Sequence, residues 1–253
     1  MIFLKSEQEI EKIRKSNQVV AAVLREMETF IRPGVTTLDI DRKAEEIIRA
    51  AGAVPSFLGY GHPPFPASVC VSLNEAVVHG IPVEDRIIKE GDIVSVDCGA
   101  ALDGWHGDAA RTYIVGDVSD RVAELVRVTE ECFWKGFELA KVGNRLGDIG
   151  SAIQTHAEAH GFSVIRELTG HGIGREMHED PNVPNYGHAG RGVRLSEGMV
   201  LAIEPMIAMG RRKIVLLDDK WTFVMADGQP ASHYENTIAI TADGPQALSL
   251  YES

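Results

Sequence analysis

The sequence carries an internal repeat of glycines and acids spaced by just over one hundred residues. Glu90-Gly91 recurs as Glu197-Gly198, and the apolar run after each pair ends in an acid, Asp97 in the first case and Glu204 in the second. Two similar halves that face each other would bring such acids together near a pseudo-symmetry axis. We therefore predict a single domain over residues 1–253, built from pseudo-repeats of roughly 1–117 and 118–253. The other matched positions, 109 residues apart, are Gly34 with Gly143, Asp39 with Asp148, Ile40 with Ile149 and Gly52 with Gly161.

Composition and charge limit the classes of protein that fit. With 44% hydrophobic and 25% charged residues, the chain has the make-up of a globular domain rather than of a disordered or fibrous protein. No early apolar run is long enough for a signal peptide or a membrane span, and a net charge of -12 disfavours DNA. The cysteines, Cys70, Cys98 and Cys132, include no C-x-x-C pair, which argues against a disulfide framework. We expect a cytoplasmic monomer without membrane or DNA partners.

Local signals indicate a mixture of helices and antiparallel strands. Helix starts are predicted at Ser6 with Glu9, at Thr36 with Asp39, and at Ser119. The first of these helices should run to about residue 31. Two β-hairpins are predicted, one pairing residues 93–100 with 106–115 around Leu102-Asp103-Gly104, the other pairing 221–225 with 232–240 around Asp227-Gly228. These elements together predict an α+β fold.

Two acids in the first hairpin should face each other. A turn centred near Leu102-Asp103 would place Asp97 directly opposite Asp108. Like charges at opposed strand positions are destabilising, and the apolar run before Asp97 raises that cost. A bound cation would remove the conflict.

The second half supplies further groups of the same kind. Glu204 ends an apolar strand, Glu235 lies within strand-like sequence, and His171 lies in a glycine-rich segment whose backbone can approach closely. Four carboxylates and one imidazole roughly neutralise two divalent cations with a hydroxide between them, the arrangement of two-metal hydrolysis.

Five separated motifs then follow one another along the chain: Ser72-Leu73-Asn74-Glu75 to His79-Gly80-Ile81-Pro82; Asp97 with Asp108; Gly170-His171-Gly172-Ile173-Gly174 with His178-Glu179; Glu204-Pro205; and Tyr234-Glu235-Asn236-Thr237. In this order they resemble the type I methionine aminopeptidases, bacterial-type members of peptidase family M24. The resemblance covers essentially the whole chain. It implies the pita-bread fold, in which two pseudo-symmetric halves share an antiparallel sheet with outer helices.

The resemblance also implies a metal centre and an activity. The implied activity is removal of the N-terminal methionine from nascent proteins and peptides, preferably before a small second residue, by a metal-activated hydroxide. Cobalt, manganese, iron(II) and zinc all suit such ligands, and the sequence does not choose between them. Asp108 and Glu235 would bridge the two ions. The implied ligands are the five residues already reached from spacing: Asp97, Asp108, His171, Glu204 and Glu235.

Three catalytic residues and an apolar substrate pocket follow from the same resemblance. His79 would lie near the scissile amide nitrogen and His178 near the carbonyl oxygen, so both would also contact substrate. Glu204 would carry a proton from the attacking water to the departing amine. The other six histidines, including His233, are predicted to be structural. The implied pocket wall consists of Tyr60, Phe65, Cys70, Met177 and Trp221.

Three alternatives or additions remain open from the sequence. Prolidases and X-Pro aminopeptidases share the ligand set but normally carry a substantial extra N-terminal domain, for which the residues before Asp97 leave no room. A non-catalytic binding module of the same fold would be expected to have lost ligands. The basic run Arg211-Arg212-Lys213 resembles loops that bind the ribosome in bacterial relatives, and it suggests a transient contact with RNA phosphates.

Overall fold

The computed structural model describes residues 1–251, and a helix begins at each of the three places that the capping signals predicted. Ser6 and Glu9 form the predicted capping box, as do Thr36 and Asp39. The Ser119 hydroxyl accepts a hydrogen bond from the amide of Val122. A fourth helix follows Arg145. The helices are α1 (Glu7–Phe30), α2 (Thr37–Ala50), α3 (Asp120–Leu139) and α4 (Leu146–Ala159).

The strands form one large sheet and two small ones. The strands are β1 (Val54–Pro55), β2 (Val69–Leu73), β3 (Ala76–Val78), β4 (Ile93–Leu102), β5 (Trp105–Ile114), β6 (Ser163–Val164), β7 (Gly170–Gly172), β8 (Glu179–Val183), β9 (Val200–Ile203), β10 (Met206–Ala208), β11 (Ile214–Leu216), β12 (Phe223–Met225), β13 (Ala231–His233), β14 (Glu235–Thr241) and β15 (Gly244–Ala247). In the described residues the large sheet has nine strands, with β1-β4-β5-β14-β9-β7-β8 in order, β2 paired to β4 and β15 paired to β14. All its ladders are antiparallel.

Each half of the chain contributes one helix pair and its own apolar core. Side chains of α1 and α2 pack with β2 and β4 in one buried cluster, and those of α3 and α4 pack with β9 and β14 in another. The two halves meet where β5 pairs with β14, at Glu235 with Ala110 and Asn236 with Ala109. The centre of the large sheet is therefore built from both halves of the chain.

The register of the first hairpin differs from the prediction by two residues. Leu102 pairs with Trp105, so the turn consists of Asp103 and Gly104, both in the left-handed region with φ of 52° and 74°. Asp97 therefore pairs with Ala110 rather than with Asp108. The prediction of direct opposition is wrong, because it centred the turn one position too early. The two acids are instead diagonal neighbours on one face of the sheet.

The second predicted hairpin is wrong in its pairing. Strand β12 pairs with β11 and β3, and β13 pairs with β10. Asp227 forms a turn as expected, but its carboxylate accepts the amides of Arg211 and Gln229 and does not close a hairpin. Partners distant in sequence have replaced the local pairing that a turn alone suggests.

In the part of the chain that is described, none of the helices is long and apolar enough to cross a bilayer.

Candidate active site

Five adjacent strands of the large sheet each bring one predicted ligand to the same place. The strand order β4-β5-β14-β9-β7 places these side chains in a row across the junction of the two halves. Four of the five residues lie on the strands themselves, and Glu204 directly follows β9. In strand order, the residues are Asp97, Asp108, Glu235, Glu204 and His171.

These side chains converge into one buried cluster. Single ligand atoms of Asp108, His171 and Glu235 all lie within 4.8 Å of one another. His171 Nε2 is 3.6 Å from Asp108 Oδ2 and 3.8 Å from Glu204 Oε1. Asp97 lines the same cavity. The structure therefore brings together all five residues that the sequence predicted as ligands.

The electrostatics of the cluster are unfavourable without a cation. Asp97 Oδ1, Asp108 Oδ1 and Glu235 Oε1 are buried and have no hydrogen-bond partner among the described residues. Burial raises the pKa of Asp97 to about 7, and it raises the pKa of Asp108 and of Glu235 well above their usual range, with nearby carboxylates adding to the effect. For Glu204, burial raises the pKa well above its ordinary value, and Glu235 and Asp97 raise it further. Unpartnered carboxylate oxygens facing one another fit a site for hard divalent cations.

The imidazole of His171 is oriented toward the carboxylates by its own backbone. Nδ1 lies 2.9 Å from the carbonyl oxygen of Gly172 and donates its proton there. Nε2 is then left with a lone pair on the side that faces the acids. Burial lowers the pKa of His171 to about 4, which keeps the ring neutral. A neutral imidazole held by a backbone carbonyl is the usual form of a metal-binding histidine.

Hydrogen bonds to the backbone hold the two central acids, and two of the residues that make them, Asn17 and Arg111, stand in none of the sequence motifs. The amide of Asp108 donates to Asn17 Oδ1 and to Thr237 Oγ1, each at 3.2 Å, and the Thr237 hydroxyl donates to the Asp108 carbonyl at 2.8 Å. The guanidinium of Arg111 donates to the Glu235 carbonyl at 2.6 Å. Because these bonds join β5, β14 and α1, they fix the acids relative to one another across the two halves.

His233 lies in this cluster, although its sequence context predicted a structural role. Its Nε2 is 3.7 Å from Glu204 Oε2 and 3.7 Å from Glu235 Oε2. Neither ring nitrogen has a hydrogen-bond partner among the described residues. Burial, with smaller contributions from His79 and Arg111, lowers its pKa to about 3. The only sequence signal was its position two residues before Glu235, the spacing of neighbours on one face of a strand.

The two predicted catalytic histidines stand at different depths of the same cavity. His79 follows β3 in a left-handed conformation with φ of 57°, and burial lowers its pKa to about 4. His178 precedes β8 at the mouth of the cavity, with its ring centroid 4.2 Å from that of His171. Partial burial lowers the pKa of His178, and the nearby His171 and His106 lower it further.

The cavity joins the charged cluster to an apolar wall. Its volume is about 330 Å³. Tyr60, Phe65, Cys70 and Trp221 line it as expected, whereas Met177 packs in the same apolar cluster without lining the cavity. Phe57, which no motif indicated, takes part in the wall. The full lining is Phe57, Tyr60, Phe65, Cys70, His79, Asp97, Asp108, His171, His178, Glu204, Trp221 and Glu235.

Residues 11–242 match metallopeptidase family M24. The chain belongs to this family. A methionine aminopeptidase from Clostridium acetobutylicum is 52% identical to this chain over 252 residues, and the alignment covers 100% of both chains. The crystal structure of a methionine aminopeptidase from Thermotoga maritima has 48% identity and a TM-score of 0.96, with 99% of this chain and 100% of that chain covered.

These similarities confirm the resemblance and the pita-bread fold that the motifs indicated. A prolidase from Pyrococcus furiosus has 24% identity and a TM-score of 0.79. The superposition covers 99% of this chain but only 66% of the prolidase chain. At that identity the likeness shows the shared fold alone. Membership of a metallopeptidase family implies that this M24 protein works with divalent metal ions.

The raised pKa of Asp97 predicts how the stability of the metal-free protein depends on pH. Its native pKa of about 7 exceeds the value of about 3.9 in an unfolded chain. The stability that its protonated form contributes is therefore complete below about pH 4 and lost as the pH rises through about 7. Asp97→Asn should raise the melting temperature of the metal-free protein by several degrees at pH 8, and this advantage should shrink as the pH falls toward 4.

Differential scanning calorimetry of the chelator-treated protein measures this effect. Asp243→Asn, at an exposed turn position, is the matched control and should leave the melting temperature unchanged at every pH. A lower melting temperature for Asp97→Asn at pH 8 would contradict the unfavourable burial of this charge. Equal pH profiles for the two variants would contradict it as well.

The contact between Thr237 and Asp108 predicts an effect on metal affinity. Thr237→Val removes both hydrogen bonds to the Asp108 backbone and should weaken Mn²⁺ binding about tenfold. Loss of a residue that supports a metal ligand lowers metal affinity by about tenfold or more. Isothermal titration calorimetry gives the affinity. Thr241→Val is the control on the same strand, because its hydroxyl bonds Gly244 at the far end of β14. Equal affinity losses in both variants would show a general effect on the strand.

Proposed function

We propose that this protein is a methionine aminopeptidase that hydrolyses the first peptide bond of proteins and peptides and releases their N-terminal methionine. The observation that carries the proposal is the position of the acid cluster, which lines the same cavity as a set of apolar and aromatic side chains. The family and the named relatives support the same activity. One catalytic domain would span residues 1–253, with halves of roughly 1–117 and 118–253 that meet at this cluster.

Five residues would hold two divalent ions. Asp108 and Glu235 would bridge them, a role that suits their positions on the adjacent central strands β5 and β14. The oxygen-rich set with one imidazole suits cobalt, manganese, iron(II) or zinc. Such ions, when bound, act as Lewis acids and lower the pKa of water. The ligands proposed are Asp97, Asp108, His171, Glu204 and Glu235.

The chain's own groups would move and stabilise charge around the scissile bond. Glu204 lies next to β9 with its side chain 14% exposed, and one of its carboxylate oxygens would take a proton from the attacking water and pass it to the departing amine. His79 would assist near the amide nitrogen. His178 would donate a hydrogen bond to the carbonyl oxygen as negative charge develops there.

The apolar wall would bind the methionine side chain. Phe65 and Trp221 meet edge to face with ring centroids 5.2 Å apart, and Cys70 lies buried beside the acids. Burial raises the pKa of the Cys70 thiol well above its ordinary value, so this cysteine acts as a small apolar residue rather than as a nucleophile. Aromatic edges suit a thioether, which makes favourable contacts of this kind. Tyr60 would close the mouth and Met177 would support the wall from behind.

The activity is tested by release of free methionine from Met-Ala-Ser. The protein is purified without oxygen and supplied in turn with each of the four metals; Leu-Pro-Ala and N-acetylated Met-Ala-Ser serve as comparison substrates. Metal-dependent cleavage of the free methionine peptide alone is expected, and Asp97→Ala should abolish it. Release of leucine before proline would instead assign a prolidase-like activity. A folded protein that is inactive with every metal would contradict the proposal.

A transient ribosome contact through Arg211, Arg212 and Lys213 would place the enzyme near its substrates, nascent chains in the cytoplasm, where it would act as a monomer. The three residues are exposed between β10 and β11 on a protein of net charge -12. Replacing all three by glutamine should reduce co-sedimentation with ribosomes. A matched control replaces Arg42, Lys43 and Arg49 on α2. Unchanged co-sedimentation of the first variant, or an equal loss in both, would overturn the contact.

A further inference from the structure

The phenol of Tyr60 reaches across the mouth of the cavity to the imidazole of His178. Tyr60 Oη lies 2.7 Å from His178 Nδ1, and the two ring centroids are 5.1 Å apart. The residues are 118 positions apart in the sequence, one in the loop after β1 and the other just before β8. The hydrogen bond therefore joins the substrate wall to a residue that we place at the scissile carbonyl.

The loop that carries Tyr60 is held in shape by its own backbone. The Tyr60 amide donates to the Phe57 carbonyl, and the Tyr60 carbonyl accepts the Phe65 amide at 2.8 Å. Gly61 follows in the left-handed region with φ of 75°, and a Cβ there would lie 2.5 Å from the Trp221 ring. Because the turn is closed by these bonds and packed against Trp221, it holds the Tyr60 backbone in the conformation from which the hydroxyl bonds His178.

The direction of this hydrogen bond determines which ring nitrogen of His178 carries the proton. A neutral imidazole has one nitrogen that donates and one that accepts. If a phenol donates to Nδ1, the ring proton must be on Nε2, at the far side of the ring. Burial raises the pKa of Tyr60 above its usual value, so the phenol keeps its proton and can act as the donor.

We propose that Tyr60 is a positioning residue, whose hydroxyl donates to His178 Nδ1 and thereby presents the Nε2 proton to the carbonyl oxygen of the scissile bond. This inference rests on the proposed function. The opposite tautomer would turn a lone pair toward an oxygen that gains negative charge, and it would raise the barrier. Tyr60 would thus act on the reaction rate as well as on the fit of the methionine side chain.

The kinetic test separates this role from a simple wall contact. Tyr60→Phe keeps the aromatic ring and removes only the hydroxyl, so KM for Met-Ala-Ser should stay within about twofold while kcat falls about tenfold, the size expected for loss of one hydrogen bond. In a His178→Ala background the same change should have no further effect. Tyr186→Phe, remote from the cavity lining, is the matched control and should leave both constants unchanged.

A raised KM with unchanged kcat would reduce Tyr60 to a part of the wall and overturn the proposal. An equal fall in kcat with and without His178 would overturn it too, because the hydroxyl would then act through another group.

Nitrogen NMR reads the tautomer without any turnover. In zinc-loaded protein labelled with ¹⁵N-histidine, the His178 signals, assigned by their loss in His178→Ala, should show a protonated Nε2 and an accepting Nδ1. In Tyr60→Phe this pattern should give way to a mixture of tautomers. A protonated Nδ1 in the unmodified protein would overturn the proposal. Absence of methionine release from the unmodified protein would refute the proposed function, and the NMR pattern would still decide the direction of the hydrogen bond.

Discussion

The mutual repulsion of four carboxyl groups buried at the centre of one sheet is the constraint on which the rest of the structure depends. Burial alone raises the pKa of each of them, and their neighbours raise most of these values further. An arrangement of this kind lowers the stability of the metal-free fold and favours the binding of cations. The bonds from Thr237, Asn17 and Arg111 to the surrounding backbone hold the acids in place against that repulsion.

The apolar wall and the charged cluster line one cavity, so apolar side chains lie directly beside the buried carboxyl groups. A dry wall strengthens every electrostatic interaction beside it, because less water is present to screen the charges. The Tyr60 to His178 hydrogen bond crosses from one region to the other. In the proposed reaction, recognition of an apolar side chain and activation of the adjacent carbonyl would therefore be coupled through groups in direct contact.

Local sequence signals predicted the helices well and the strand pairings unevenly. The capping boxes at Ser6 and Thr36 were right because they are satisfied within three residues of chain. The first hairpin was right in existence but shifted, since a two-residue turn with both residues left-handed moved Asp97 opposite Ala110. The second hairpin failed because Phe223–Met225 found partners distant in the sequence, in β3 and β11. A choice between nearby and distant strand partners cannot be read from the residues of one hairpin.

The sequence by itself determined the chemical inventory of this protein: a matched pair of halves, five candidate ligands, two further histidines and an apolar wall. Residue type and spacing along strands indicated the five ligands, because they limit which side chains share a face, whereas the two histidines and the wall followed from the resemblance to a known family. Only the tertiary structure decided that five adjacent strands align these ligands and that His233 and Phe57 join them. It also decided that Met177 packs in the apolar cluster without lining the cavity, and that Tyr60 bonds His178. Those contacts join segments far apart in the chain, and their geometry exists only once both halves have closed on one another.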